Sequence, residues 1–530
     1  MAGGLIQLAA YGEQNLFLSK DPQITFFKVV YRRHTNFSIE TMPQSFKTVP
    51  KFGKRVVCVL SRSGDLIRKI HIVAVLPKIP QFKDEAGNID PITKFAWVRK
   101  IGYALINNVE IEIGGELIDK QYGDWINIWN ELSLPIQKNI DKIIGDVPLL
   151  TEFTNGKKEY KLFIPLQFWF NRLPGLALPV VSLQHGHVQI NLDINSFFKC
   201  HVISPTHYIN VSDDFVNYKP FEYLKQVVDG SESLARFIYF DLINRRLYIS
   251  RITDEKFNSL TENDPEKRQT EDDQRALLFS KDENGNPINK KYFITGLTTG
   301  YQAMPRINSA ESTHSNNTVR LNNINLKDCF LLVEYIFLDD VERTKFLQAR
   351  HEYLIEQVFL NDIKTVTGIN QFFYLGFTQS CKEMIWVTQL SLALNSRNNE
   401  LFNYTDSLIR DEDGNLIGKN IITRETILFN SEERISLRDS QYFSKLQIYQ
   451  HHTKLISEGI NLYSFSLHPE KHQPSCTANL SKIDNISLRL VVIPQITFQN
   501  NAKLRCYART YNILRVANGV SALLFSIDNQ

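Results

Sequence analysis

The chain has 530 residues, 43% hydrophobic and 22% charged, with 60 basic against 57 acidic side chains. A net charge of +3 is too near neutral for a general polyanion binder. The 24 glycines and 19 prolines are too few for a collagen or a wholly disordered chain, and the length allows a large core without disulfide staples.

The opening Met1-Ala2-Gly3-Gly4-Leu5-Ile6-Gln7 has no basic n-region and no long apolar run, so it does not read as a signal peptide. Ala2 in place of glycine argues against myristoylation. The longest apolar runs, such as Ile72-Val73-Ala74-Val75-Leu76, fall far short of the roughly 20 residues of a membrane-spanning helix. A protein that stays in the cytoplasm is expected. Cys58, Cys200, Cys329, Cys381, Cys476 and Cys506 form no C-x-x-C pair and no zinc-finger spacing, and are expected as free thiols in buried positions.

Period-two alternation dominates the chain. Residues 55–60 read as a strand. Residues 109–113 alternate, meet Gly114-Gly115 and resume at Glu116-Leu117-Ile118, the pattern of a tight hairpin. Asp124 is expected to cap a helix carrying Trp125, Ile128, Trp129 and Leu132 on one face, with the two tryptophans fixing it against a sheet or a neighbour. Residues 188–194, 237–242, 330–338, 463–468 and 488–493 read as further strands, rich in β-branched and aromatic residues. Asp339-x-x-Glu342 is a capping box, with Phe346, Ala349 and Tyr353 following at helical spacing. Ser436-x-x-Asp439 is a weaker helix start before Tyr442, Leu446 and Tyr449. Three short helices among more than a dozen strand candidates predict a mainly β chain without regular βαβ alternation.

Two long polar stretches, residues 253–290 and 396–420, are expected as functional or mobile loops. The turns at 83–88, 281–286 and 410–415 share a pattern of hairpin tips. A calcium loop carries its glycine at position six, and Asp411-Glu412-Asp413-Gly414 has it at four. An internal echo (helix, strand ending at proline, strand) follows Trp125 and again Tyr442. It predicts two similar sandwiches, divided near residues 216–232, where Asp, Tyr, Pro and Gly cluster.

Chemistry-bearing motifs are scarce. No phosphate-binding loop, dinucleotide fingerprint, nucleophile elbow or H-E-x-x-H is present. His185 and His187 would share a strand face but lack a third metal ligand. They and His451-His452 read as polar-face histidines. Nothing places two carboxylates across a cleft. Lys503, Arg505, Tyr507, Arg509 and Tyr511 fall on one strand face, and Tyr31-Arg32-Arg33-His34 is a second basic cluster. Such sets suit nucleic acid, but the low net charge favours an interface or a solvated face. No catalytic, cofactor-binding or metal residue is assigned, and the chain does not read as an enzyme. The six glycosylation sequons are uninformative in so asparagine-rich a chain.

Several segments resemble the double jelly-roll major capsid proteins of nucleocytoplasmic large DNA viruses. They begin with Gly4-Leu5-Ile6-Gln7-Leu8, Tyr11-Gly12 and the stretch from Asp21-Pro22-Gln23-Ile24-Thr25-Phe26-Phe27-Lys28 through Val29-Val30-Tyr31-Arg32-Arg33-His34-Thr35-Asn36-Phe37. Leu173-Pro174-Gly175-Leu176-Ala177-Leu178-Pro179, Lys382-Glu383-Met384-Ile385-Trp386-Val387, Tyr463-Ser464-Phe465-Ser466-Leu467-His468-Pro469-Glu470 and Tyr511-Asn512-Ile513-Leu514-Arg515 follow in order. The likeness runs the length of the chain.

The resemblance implies two tandem eight-stranded jelly rolls with a few short helices and long loops. Residues 1–25 would form an arm at the capsomer base, 26–215 the first jelly roll, 216–232 a linker and 233–530 the second, with 253–290 and 396–420 as outward loops. It implies a structural subunit of the virion capsid, assembled in the host cytoplasm. That subunit forms a homotrimer, a pseudo-hexagonal capsomer tiling an icosahedral shell. Expected partners are neighbouring capsomers, minor capsid and penton proteins and an underlying internal membrane, with no specific nucleic acid and no cofactor. The competing readings are a minor capsid paralogue, a glycan-binding attachment protein on the same fold, and a hydrolase for which no residue pattern speaks.

Overall fold

A computed structural model describes residues 3–10, 12–13, 20–21, 34–84, 86–135, 138–259, 292–306, 308–309, 311–315, 321, 323–411, 414–454 and 458–525. Eight strands build the first sandwich: β1 (Phe37–Ser45), β2 (Arg55–Val59), β3 (Leu66–Leu76), β4 (Ile106–Ile113), β5 (Glu116–Tyr122), β6 (Tyr160–Pro165), β7 (Val188–Ile194) and β8 (Asp328–Leu338). They form two sheets, β1-β8-β3-β6 and β2-β7-β4-β5. The second sandwich uses β9 (His351–Leu360), β10 (Asn370–Leu375), β11 (Ser380–Leu390), β12 (Ile422–Phe429), β13 (Glu432–Glu433), β14 (Ile460–Ser464), β15 (Ile486–Val492) and β16 (Ala502–Ala517). Its sheets run β9-β16-β11-β14 and β10-β15-β12-β13, with a few short strands off these paths. The two orders are the same once each sandwich is counted from its own first strand. This is the jelly-roll winding made twice, and every named ladder between these strands is antiparallel.

The local signals carry through where one face is buried. The alternation over 109–113 and 188–194 places Val109, Ile111, Ile113, Val188, Ile190, Leu192 and Ile194 in the first core. Gly114 and Gly115 turn between β4 and β5 with φ of 62° and 89°, the left-handed region that side chains disfavour. The tips at 83–88 and 410–415 close alike: the amides of Asn88 and Asn415 donate to Oδ1 of Asp84 and Asp411 at 2.8 and 2.7 Å. The third tip, 281–286, lies outside the described residues.

The helices need correction. The first, α1, spans Gly123–Ser133, and no side chain caps it. Asp124 sits inside the first turn, where its carboxylate is committed to the second sandwich. Gly123 allows a close approach at the helix start: a Cβ there would lie 2.2 Å from the Tyr103 carbonyl oxygen. At α2 (Asp340–Gln348) the Asp339 carboxylate accepts from the Glu342 amide at 2.9 Å, the N-cap half of the box, while the Glu342 carboxylate pairs with Lys345. The helix stops before Ala349, and Tyr353 lies on β9, because the chain must turn into a strand. The third helical stretch, α3, is a π turn at Tyr442–Leu446 running into Gln447–His451. Its expected start is instead a short strand, Arg438–Asp439, paired with β12. The strand expected over 463–468 ends at Ser464.

The expected domain border does not follow the sheets. β8 lies between β1 and β3, so residues 328–338 complete the first sandwich from beyond the expected linker. Residues 216–232 contain a strand, Tyr223–Val228, and the start of another, Ser231–Asp241. These belong to a seven-stranded sheet spanning His207 to Thr313, inserted between β7 and β8. It has its own small core of Ile209, Leu224, Phe237, Leu247, Ile249 and Ile294. The turn-rich stretch is a hairpin and its approach, and turn composition alone does not separate these from a linker.

Residues 396–420, by sequence a long polar loop expected to be functional or mobile and outward, are tied into the fold. Asn403, Tyr404, Thr405 and Leu408 are buried. The polar side chains bond inward: Asn403 Oδ1 accepts from the amide and hydroxyl of Thr405 at 2.9 and 2.8 Å. Of the other long stretch, 253–259 is described and Phe257 is buried, while 260–290 lies outside the described residues. So do Tyr31, Arg32, Arg33 and most of the arm; Gly3–Ala9 is a short helix. Five cysteines are buried and free; Cys476 is exposed.

Candidate functional site

The feature that organises the molecule is the seam between the sandwiches. β11 is buried along almost its whole length, since both faces of its sheet are covered. Cys381, Met384 and Trp386 point into the second core. Ile385 and Val387 join the first core, as do Ile355, Ile448, Leu462, Tyr507 and Leu514. One apolar cluster thus runs across the boundary.

Of the β16 face predicted as one set, Arg505, Tyr507 and Arg509 lie in this seam, whereas Lys503 donates an exposed hydrogen bond to the Thr365 hydroxyl and the half-buried Tyr511 ring faces Lys382 at 4.7 Å. Ala502, Leu504, Cys506 and Ala508 turn to the second core, so Arg505, Tyr507 and Arg509 turn the other way, onto α1. Tyr507 donates its hydroxyl to Asp124 Oδ2 at 2.5 Å, and Arg505 Nε lies 3.3 Å from the same oxygen. Trp125 packs against Tyr507 with ring centres 5.2 Å apart. The Arg509 guanidinium lies 3.8 Å from the centre of the Trp129 ring, and Arg172 lies 4.7 Å from it. Basic and aromatic residues meet here, as in a nucleic-acid site, but their partners are inside the chain.

Arg509 is the hub of a buried ionic network. Its Nη1 donates to Glu383 Oε1 and its Nη2 to Glu356 Oε2, each at 2.5 Å. Arg172 from the first sandwich also reaches Glu356 Oε2, and Lys382 reaches Glu356 Oε1, both at 2.5 Å. The ladder between β11 and β16 slips between Cys381 and Glu383. This bulge lets neighbouring residues Lys382 and Glu383 serve the same cluster. His452 closes the network, with Nε2 2.9 Å from Glu383 Oε2 and Nδ1 3.0 Å from Glu470 Oε1.

Burial drives each carboxyl towards its neutral form. For Glu356, Arg509, Arg172 and Lys382 overcome it and hold the pKa at about 2. Burial likewise pushes Glu383 up, but His452 and Arg509 leave it far below the usual carboxylate range. Burial works against the His452 imidazolium, yet Glu383 and Glu470 raise its pKa to about 9. His452, read from sequence as a polar-face histidine, is therefore a buried cation. Nothing near it in sequence announces this, because its partners come from β11 and from residue 470.

The other candidates do not converge. His185 and His187 are exposed, and the His185 amide donates to the Gly519 carbonyl at 2.8 Å, docking the C-terminal hairpin. Among the described residues no three His, Cys, Asp or Glu side chains could hold a metal ion, and no helix is long and apolar enough to cross a membrane.

Residues 25–241 match a family model described as the major capsid protein N-terminus, and residues 342–522 one described as the large eukaryotic DNA virus major capsid protein. Probable capsid protein 4 of Acanthamoeba polyphaga mimivirus is 42% identical over 99% of both chains. The major capsid protein of Phaeocystis pouchetii virus is 31% identical over 99% of this chain and 100% of its own. The chain belongs to the major capsid proteins of nucleocytoplasmic large DNA viruses. Among solved structures, the Faustovirus major capsid protein aligns with a TM-score of 0.63 at 10% identity, covering 97% of this chain and 96% of that one. The PBCV-1 virus capsid model aligns at 0.58 and 24%, covering 95% and 100%. These two show the shared double jelly-roll fold.

The seam joins the two sandwiches through apolar and ionic contacts. Its strength depends on pH. The folded pKa of His452 lies above the unfolded value of about 6.5. Its contribution is complete below 6.5 and is lost as pH rises through about 9. Glu356 is depressed, so its contribution is present above about 4.5 and fades as pH falls towards 2. Lys382, lowered to about 8 by burial and Arg509 against the pull of Glu356, partly offsets the alkaline loss. Glu425, raised to about 8 by burial in the second core, adds to it. Urea midpoints are expected to fall between pH 6.5 and 9, and His452→Gln to flatten that fall. A variant with the wild-type slope would remove His452 from the account.

Proposed function

We propose that this capsid protein is a shell-building subunit. Three chains close into a pseudo-hexagonal capsomer, and capsomers tile an icosahedral shell. One observation carries the reading. Inside the chain, the edge strand β5 and the helix α1 of the first sandwich meet β9 and β16 of the second; Gln357 bonds to the Ile118 carbonyl, and the Val358 amide donates to Asp119 at 3.1 Å. The counterparts of these four elements are β13 and α3 on one flank, and β1 and β8 on the other. These flanks carry exposed apolar side chains: Leu446 and Tyr449 on α3, Phe37 and Ile39 on β1. Repeating the internal contact between chains seats α3 of one on β1 and β8 of the next. With two sandwiches per chain, a ring of six closes after three chains, by a heterologous contact that closes instead of running on.

On this reading the role is structural, not catalytic. The base of the capsomer, with residues 1–25, faces minor capsid proteins and an internal membrane, penton proteins fill the vertices, and assembly takes place in the host cytoplasm. Sedimentation of the purified chain is expected to give a trimer, and Tyr449→Glu to weaken it at least tenfold, about 1.4 kcal/mol or more. A wild-type monomer, or a trimer indifferent to Tyr449→Glu, would overturn the proposed contact. A second reading has its own observation. One virus carries both Capsid protein 1 and Probable capsid protein 4, and this chain is 30% identical to the former and 42% to the latter. That pattern suits a paralogue used at special positions, and counting copies per particle separates the two.

A further inference from the structure

Three parts of the chain meet at one cavity of about 180 Å³. Arg99 comes from the first sandwich, Arg236 from the inserted sheet, and Arg397 and Arg410 from residues 396–420 of the second. Among the described lining residues Glu400 is the one carboxylate. Arg410 is held on it by Nε and Nη2 at 3.4 and 2.6 Å. Arg99 is held by Asp146 at 2.9 and 3.3 Å. Both arginines also donate Nη1 to the Gly414 carbonyl oxygen, at 2.6 and 2.9 Å, so two guanidinium groups stand side by side. Arg397 is paired with Asp254, which is 75% exposed.

Arg236 is the least compensated. Its guanidinium lies over the rings of Phe153 and Tyr223, at 5.4 and 5.0 Å, and donates to the Tyr223 hydroxyl at 2.8 Å. Among the described residues no carboxylate forms an ion pair with it. Four guanidinium groups against three paired carboxylates leave an excess positive charge around a half-enclosed space, where it acts more strongly than it would in water. Their planar forks match the oxygen edges of a tetrahedral anion. By the roughly 10–15 Å³ of such space that one water needs, the cavity is large enough for a tetrahedral oxyanion.

We propose that this junction binds a phosphate-class oxyanion, which ties the inserted sheet and the second sandwich to the first. Calorimetry with inorganic phosphate, and separately with AMP, tests it at constant ionic strength set by sodium chloride. Saturable binding of phosphate is expected, and it would identify the free ion as the ligand. Binding of AMP with phosphate inert would identify a phosphate monoester on a larger molecule. Arg236→Met keeps an apolar stem against Phe153 and Tyr223, and is expected to weaken binding tenfold or more. Arg397→Gln, whose carboxylate partner is mostly solvated, is the second variant and is expected to act the same way. Binding of neither ligand beyond the chloride control overturns the proposal, as does undiminished binding in both variants.

Discussion

Replacing Arg509 by methionine is expected to lower stability by about 3–5 kcal/mol and to split unfolding into two steps. The side chain is fully buried and pairs with Glu383 and Glu356. Methionine fills most of the volume, so the loss is not chiefly a cavity. What remains is two largely buried carboxylates. Glu383 keeps His452, and Glu356 keeps Arg172 and Lys382, but each loses a short, charge-assisted bond. The same reasoning predicts where the damage appears. The first core extends across the boundary through Ile385, Val387 and Tyr507, so the wild-type sandwiches are expected to unfold together. With the seam weakened, each sandwich falls back on its own core. Urea unfolding followed by tryptophan emission reads this directly. One transition at the wild-type midpoint would mean that the apolar contacts alone hold the sandwiches together.

The parts of this architecture that were legible are those written within a few residues. Alternation over 109–113, the glycine pair after it and the Asp339–Glu342 box each act locally, and each is where its residues predicted. The order of winding was legible only as an echo, since partners in a jelly roll are far apart. Phe37 pairs with Leu338, and no pattern near either residue says so. The inserted sheet was missed for the same reason: its turns resemble a linker, and only the ladder shows that the chain returns to the first sandwich. At the seam, the basic and aromatic face of β16 was readable as one face. Its destination was not, because Trp129, Glu356 and Glu383 come from three other elements. A face of Arg and Tyr opposite one of Ala, Leu and Cys is the residual signal: the small residues imply a tightly covered strand, and the arginines then need internal partners.

The same seam makes the second large prediction, at Trp129. Trp129→Ala is expected to cost about 3–5 kcal/mol, comparable with Arg509→Met although no charge is removed. The ring is 4% exposed, and it stacks on Trp125 with centres 6.0 Å apart. It also presents its π faces to Arg509 and Arg172. A desolvated cation over tryptophan is worth up to about 2 kcal/mol, so part of the cost reaches the ionic network itself. Truncation would admit water beside Arg509 and weaken its pairs with Glu356 and Glu383. The two substitutions therefore act on one device and should not add. A double-mutant cycle of Trp129→Ala with Arg509→Met is expected to show a coupling of about 1–2 kcal/mol. Trp129→Phe keeps a ring over the guanidinium groups and should recover part of the loss. For the trimer proposed above, Trp129→Ala is also expected to lower the yield at temperatures where the monomer is still folded. Full additivity in the cycle, with wild-type trimer yield, would reduce Trp129 to ordinary core filling and leave the ionic network to stand alone.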